Sequence, residues 1–216
     1  MGRRKKLIGK RFKLKTRTKK KLKKQIKVMV LLIGIGIGIY VIFDIDKYEY
    51  KTLTREELKI EEENFEFIKT IEKEAQKSYK EYGVFPSITI AQAILESGWG
   101  NSQLTKDSNN LFGIKADDSW KGKTIEVITT ENYNDKITAS FRKYNSIEDS
   151  IKDHAKFLQE NKRYEENGVF DAENYKEQAQ ALEKAGYSTK QNSNGEYIYG
   201  DILIEIIEKY RLYILD

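Results

Sequence analysis

Apolar and polar positions alternate along this chain with two different periods, and one stretch has no alternation at all. From Val28 to Phe43 no charged residue occurs, and Lys27 and Asp44 bound the run sharply. Downstream, Phe65, Ile68, Ile71 and Ala75 recur at helical spacing inside a segment predicted as a helix from Arg55 to Tyr82. Thr54-Arg55-Glu56-Glu57 has the form of a capping box at its start. The first part, Thr54 to Glu63, is too charged to be core and reads as a spacer. Pro86, the only proline, opens a second helical pattern that Gly98 stops, which places Glu96 in its last turn. Thr124 to Glu131 and Lys136 to Lys143 are rich in β-branched and aromatic residues and flank Asn132-Tyr133-Asn134-Asp135, a hairpin signal. Helical patterns return over Ile147 to Gln159, Ala172 to Lys184 and Gly200 to Tyr213. The expected class is α+β and mostly helical, with one small β-hairpin lobe.

The uncharged run supports two readings. As a helix it is about 24 Å long at 1.5 Å per residue, near the lower limit for crossing a bilayer core, with Lys side chains and Tyr40 at the interfaces. As strand, it has the alternation of Gly34, Gly36 and Gly38 with isoleucine in its favour. Charge decides for the first. Residues 1–43 hold 15 of the 39 Lys and Arg and no Asp or Glu, so the 24 basic and 34 acidic residues that follow give a body of net charge −10. A strongly positive stretch before an uncharged one predicts a cytoplasmic N-terminus and an extracytoplasmic body. No small-x-small cleavage site follows the run. The expected organisation is a basic cytoplasmic tail at 1–27, a single-pass transmembrane anchor at 28–43, a charged spacer at 44–63 and a catalytic domain at 64–216. The tail lacks a nucleic-acid reading motif, so lipid headgroups are its expected partner and nucleic acid is not.

The chain has no cysteine and one histidine, His154. Disulfides, thiolate nucleophiles and multi-His or Cys-ligated metal sites are therefore excluded, and no metal or cofactor is expected. Carboxylates and tyrosines are left to do acid-base work. His154 follows Asp153 in a helical run beside Phe157 and Leu158, where a packed role is expected.

A glycosidase usually needs one carboxylic acid held protonated near neutrality, and often a second, ionised carboxylate. Glu96 sits at the negative end of a helix dipole next to Trp99, and both features favour the protonated form. An acid held against an apolar ring is also how lysozyme works in the standard account. A solvated glutamate at a helix end has the same local sequence, so spacing alone leaves both readings open.

Phe85-Pro86-Ser87 leading to Ala91-Gln92-Ala93-Ile94-Leu95-Glu96-Ser97-Gly98-Trp99-Gly100-Asn101-Ser102, followed by Asn109-Asn110-Leu111-Phe112-Gly113-Ile114-Lys115, resembles the bacterial glucosaminidase family, glycoside hydrolase family 73. Further matches are Phe141-Arg142-Lys143-Tyr144, Asp153-His154, Arg163-Tyr164, Ala185-Gly186-Tyr187-Ser188-Thr189 and the closing Ile206 to Leu212. The resemblance covers residues 65 to 213. It implies a lysozyme-like fold and cleavage after N-acetylglucosamine in peptidoglycan glycan strands, with Glu96 as general acid. It also implies a second carboxylate in the β-lobe at Glu131, with Glu126, Asp117 and Asp118 as alternatives, or the substrate's own acetamido group in its place. Tyr187 falls on a family tyrosine with a catalytic role and Tyr199 on one that binds substrate, though Lys190 to Glu196 lengthens the gap between them. Trp120 and Trp99 are the remaining candidates for sugar contact. Asn109, Asn110 and Gly113 are expected to shape a turn. A muramidase or lytic transglycosylase, or a wall-binding subunit without turnover, is the competing expectation.

Overall fold

The computed structural model describes residues 29–32, 39–42, 55–131 and 135–216, and they fall into two units, one ending at Thr54 and the other spanning Arg55–Asp216. In the first unit, β1 (Met29–Leu32) pairs antiparallel with β2 (Ile39–Ile42), with Met29 opposite Ile42 and Leu32 opposite Ile39. The segment predicted as a membrane helix is thus extended wherever it is described, in two apolar runs that contain no glycine. The rest of that segment, and the predicted cap Thr54, lie outside the described residues. Among the described residues no helix is long and apolar enough to cross a membrane.

The second unit is a helical body with a β-hairpin lobe, as expected. Its elements are α1 (Arg55–Tyr82), α2 (Pro86–Ser97), α3 (Gln103–Ser108), β3 (Lys123–Glu131), β4 (Asp135–Lys143), α4 (Ile147–Glu160), α5 (Lys162–Glu166), α6 (Tyr175–Lys184), α7 (Tyr199–Tyr210) and a 3₁₀ turn at Leu212–Leu215. The long α1 runs without a break through the predicted spacer boundary, and its glutamate-rich start is exposed. Ile68, Ile71 and Ala75 are buried as their spacing predicts, whereas Phe65 stays 56% exposed, one turn beyond the end of the core.

The centre of the body is α2. Pro86 stands at its first turn, where a missing N–H costs nothing, and every residue from Pro86 to Ile94 is buried. A helix apolar on all sides belongs inside a protein, and α1, α6, α7 and the 3₁₀ turn pack around it. Its N-terminus is closed from a distance: the Asp216 carboxylate accepts from the Ser87 backbone N–H at 2.8 Å and from the Ser87 hydroxyl at 2.7 Å. Its C-terminus ends on Gly98 at φ 56°, whose N–H bonds Ile94 O. Gly98, Trp99 and Gly100 all have positive φ, which turns the chain sharply after Glu96. A side chain at Gly100 would place its Cβ 2.8 Å from the Phe67 ring, so only glycine fits there.

The lobe is one antiparallel hairpin running from Lys123 opposite Lys143 to Glu131 opposite Asp135. It is pinned to the body at its base. Arg142, 7% exposed, donates from Nη1 to Asp153 Oδ2 on α4 at 2.9 Å, and the Tyr144 hydroxyl donates to the same oxygen at 2.7 Å. Asn110 ties the turn before the lobe by giving its side-chain N–H to the carbonyls of Ile114 and Arg142 and accepting from the Ile114 N–H. Asn109 takes φ 55° as the cap of α3, and Gly113 takes φ 63°. These are the structural roles expected of them.

Candidate active site

Glu96 leaves the last turn of α2 at the rim of a cleft of about 460 Å³, lined by the helical body and by the loop that leads from α3 to the hairpin. Phe112, Gly113 and Ile114 form one side of that cleft, Phe157, Arg163 and Tyr164 another, and Tyr187 closes it beside the acid. Glu96 is exposed toward the cleft, yet protein crowds its carboxyl from behind. That desolvation raises its pKa above the ordinary glutamate value, and a hydrogen bond from Tyr199 and the charge of Lys190 offset part of the rise.

The Tyr199 hydroxyl donates to Glu96 Oε1 at 3.0 Å, and Tyr199 is only 1% exposed. This corrects the sugar-binding expectation for Tyr199. A buried phenol cannot stack on a sugar, and its contact is with the acid itself. Tyr187 stacks on Tyr199 with ring centroids 5.2 Å apart and lines the cleft, so the two tyrosines do converge on Glu96 despite the lengthened loop between them. Both phenols titrate well above their usual range, chiefly through burial, with the Glu96 charge adding to the effect.

Neither tryptophan lines this cleft. Trp99 packs edge-on against Phe67 at 6.0 Å and Tyr210 at 5.0 Å, where it holds the sharp turn after α2 to α1 and α7. Trp120 lines a separate hollow of about 630 Å³ with the hairpin lysines and carries the Arg142 guanidinium 4.8 Å from its ring. Both were expected to touch substrate; both are half-buried and lie outside the Glu96 cleft.

Glu131 ends β3 opposite Asp135, and its side chain lies outside the described ones. Glu126 and Asp118 are exposed. Asp117 is different, because it lines the Glu96 cleft. Hydrogen bonds from Ser119, then the Arg142 guanidinium at 3.4 Å, hold its carboxyl below the usual range, the opposite direction to the shift at Glu96. Phe112, Phe157 and Arg163 entered the sequence reading only as motif positions, because ring and charge placement across four elements leaves no local spacing signal.

His154 is fully buried and stacks on Phe112 with centroids 3.8 Å apart. Burial lowers its pKa to about 3, so it is a neutral ring at every physiological pH. Among the described residues no cluster of His, Cys, Asp or Glu can hold a metal ion.

A raised acid at the end of a buried helix, an aspartate of lowered pKa in the same cleft, a tyrosine bonded to the acid and a second stacked on that tyrosine form an arrangement suited to protonating a leaving oxygen. The comparisons agree with that chemistry. Exo-glucosaminidase LytG of Bacillus subtilis is 41% identical over 168 residues, 74% of this chain and 56% of the relative. The chain therefore spans little more than half the length of that relative. The glycoside hydrolase domain of FlgJ from Salmonella typhimurium matches with TM-score 0.56 and 34% identity over 68% of this chain and 88% of that one. The catalytic domain of the autolysin Auto from Listeria monocytogenes matches with TM-score 0.60 and 29% identity over 77% of this chain and 99% of that one. The sequence profile described as mannosyl-glycoprotein endo-beta-N-acetylglucosaminidase spans residues 72–212, from α1 to the 3₁₀ turn, and the chain belongs to the glucosaminidase family of glycoside hydrolases.

Proposed function

We propose that this chain hydrolyses the β-1,4 bond on the reducing side of N-acetylglucosamine in peptidoglycan strands, with Glu96 as general acid. The observation that carries the proposal is the Glu96 carboxyl itself, raised in pKa by burial, bonded by Tyr199 on one oxygen and open to the cleft. Its proton passes to the glycosidic oxygen as the C1–O bond breaks, and the bonding electron pair leaves with that oxygen. The positive charge left on the sugar ring is quenched by water, or first by the substrate's acetamido oxygen. Tyr187, beside the acid in the cleft, is suited to donate to that acetamido group. The names of the relatives, an exo-glucosaminidase and two wall-active enzymes, support the substrate class.

Two carboxylates compete for the second role. Glu131 has the resemblance in its favour, and Asp117 has its place in the Glu96 cleft and its ionised state. Separate Glu131→Gln and Asp117→Asn variants distinguish them: the true partner loses at least ten times more turnover than the other. The main proposal is tested by incubating the full-length chain and its Glu96→Gln variant with purified cell walls. Lysis by the wild type and none by the variant is expected; equal lysis removes Glu96 from the chemistry, and no lysis by either favours a wall-binding subunit.

We also propose that residues 1–43 attach the protein to the cell membrane with the catalytic domain outside. The support is 15 positive charges, with no negative one among them, ahead of the uncharged run from Val28 to Phe43. Membrane fractionation of the full chain against a chain starting at residue 55 tests this, and recovery of both in the soluble fraction overturns it.

A further inference from the structure

Gln92 lies one turn before Glu96 on α2 and is fully buried. Its side-chain Nε2 donates to the Tyr199 hydroxyl at 3.0 Å, and that hydroxyl donates to Glu96 Oε1 at 3.0 Å. A phenol has one proton to give and one favourable in-plane direction in which to accept. With Gln92 filling the accepting direction, the Tyr199 proton is committed to Glu96 Oε1. We infer that Gln92 is a positioning residue that polarises this relay so that the catalytic proton resides on Glu96 Oε2, the oxygen not engaged by Tyr199, rather than turning inward.

The alternative arrangement shows what Gln92 prevents. If nothing donated to Tyr199, a protonated Glu96 could give its proton from Oε1 to the Tyr199 oxygen, and that inward hydrogen bond would withhold it from a sugar. The orientation of the amide follows from the same counting. Turned over, Gln92 Oε1 would compete with an ionised Glu96 Oε1 for the one Tyr199 proton, and with the acid protonated it would draw that proton inward through Tyr199.

A second observation is the cost of the arrangement. Gln92 Oε1 is buried without a hydrogen-bond partner among the described residues. An apolar side chain would fill this position in the core without stranding a carbonyl, so retaining an amide here fits function better than folding. The other groups around the acid do not duplicate its role. Tyr187 contributes a stacked ring, Lys190 a charge that lowers the Glu96 pKa, and Asp117 and Arg163 line the same cleft with no bond to the acid or to Tyr199 among the described contacts.

The inference rests on Glu96 being the general acid, and the test separates the two. Turnover on cell walls and its pH profile are measured for the full-length wild type, Gln92→Met, Gln92→Glu, Tyr199→Phe, the Gln92→Met/Tyr199→Phe double variant and Glu96→Gln, with a thermal melt for each. Gln92→Met is expected to melt at or above the wild-type temperature and to lose about tenfold in kcat with KM unchanged. Its alkaline limb moves to higher pH, because Tyr199 then stabilises the ionised acid less and the protonated acid more. Gln92→Glu keeps the shape but can accept the Tyr199 proton, and it shows a larger loss in the same direction. In the Tyr199→Phe background, Gln92→Met adds no further loss. An equal loss with and without the Tyr199 hydroxyl, or a loss with an unmoved pH profile, makes Gln92 a packing residue and overturns the inference. An active Glu96→Gln variant overturns the underlying reading instead.

Discussion

The helical body and the β-hairpin lobe are built on opposite terms. In the body, α2 is buried from Pro86 to Ile94, and Leu203 and Ile207 of α7 pack fully against the same core. In the hairpin, Ala139 and Phe141 are the buried apolar residues described, and Ile128 is 73% exposed. The body therefore holds the acid in a fixed place with a tuned proton affinity. The lobe is anchored at its base by Arg142, Asp153 and Tyr144. Packing is concentrated where the proton is held, and the lobe is mostly exposed among its described residues.

The largest effect expected from breaking that division is on Glu96. Glu96→Gln removes the acid and lowers turnover by ~10²–10⁴-fold, measured on purified walls. The same variant should be more stable than wild type near neutrality. Because the folded-state pKa of Glu96 is raised, its stabilising contribution is present below the unfolded value and is lost as pH rises through the folded one. The gain seen in thermal melts should therefore shrink as pH falls below the ordinary glutamate range. For the wild type, the same raised pKa predicts that turnover falls on the alkaline side only above that range.

Next is the pin between the regions. Asp153→Ala leaves the buried Arg142 guanidinium with only the exposed Asp117 as carboxylate partner among those described, and should cost about 3–5 kcal/mol in denaturant melts. Tyr199→Phe keeps the ring stack with Tyr187 but removes the donor to Glu96. It should lower kcat by ~10–100-fold and move the alkaline limb upward, since that bond favours the ionised acid. The smallest effect is expected at the exposed hairpin surface, where Ile128→Ala should change stability by less than ~0.5 kcal/mol.

Much of this division was legible in the sequence because it is carried by local signals. Pro86 and Gly98 bracket α2, and the β-branched runs around Asn132 to Asp135 mark the hairpin, to within a residue of where they stand. Asn174 caps α6 two residues after the periodic pattern begins, which is why that helix starts three residues late. The long pattern at the C-terminal end breaks at Arg211, which takes φ 54° and hands the chain to a 3₁₀ turn. The site was only half legible. Glu96 and Tyr187 were identified with the cleft, but the roles of Tyr199, Trp99 and Trp120 depend on burial and on which ring meets which, and spacing carries neither. Asp117 entered only as one alternative carboxylate because its loop has no period. Its ion pair with Arg142, a contact between residues far apart in the chain, and its place in the Glu96 cleft carry no local signal.

The most direct test of the account is chemical identification of the sugar at each new reducing end after the full-length chain has digested purified cell walls. N-acetylglucosamine at those ends is the predicted result, and N-acetylmuramic acid or an anhydro-sugar there would contradict it.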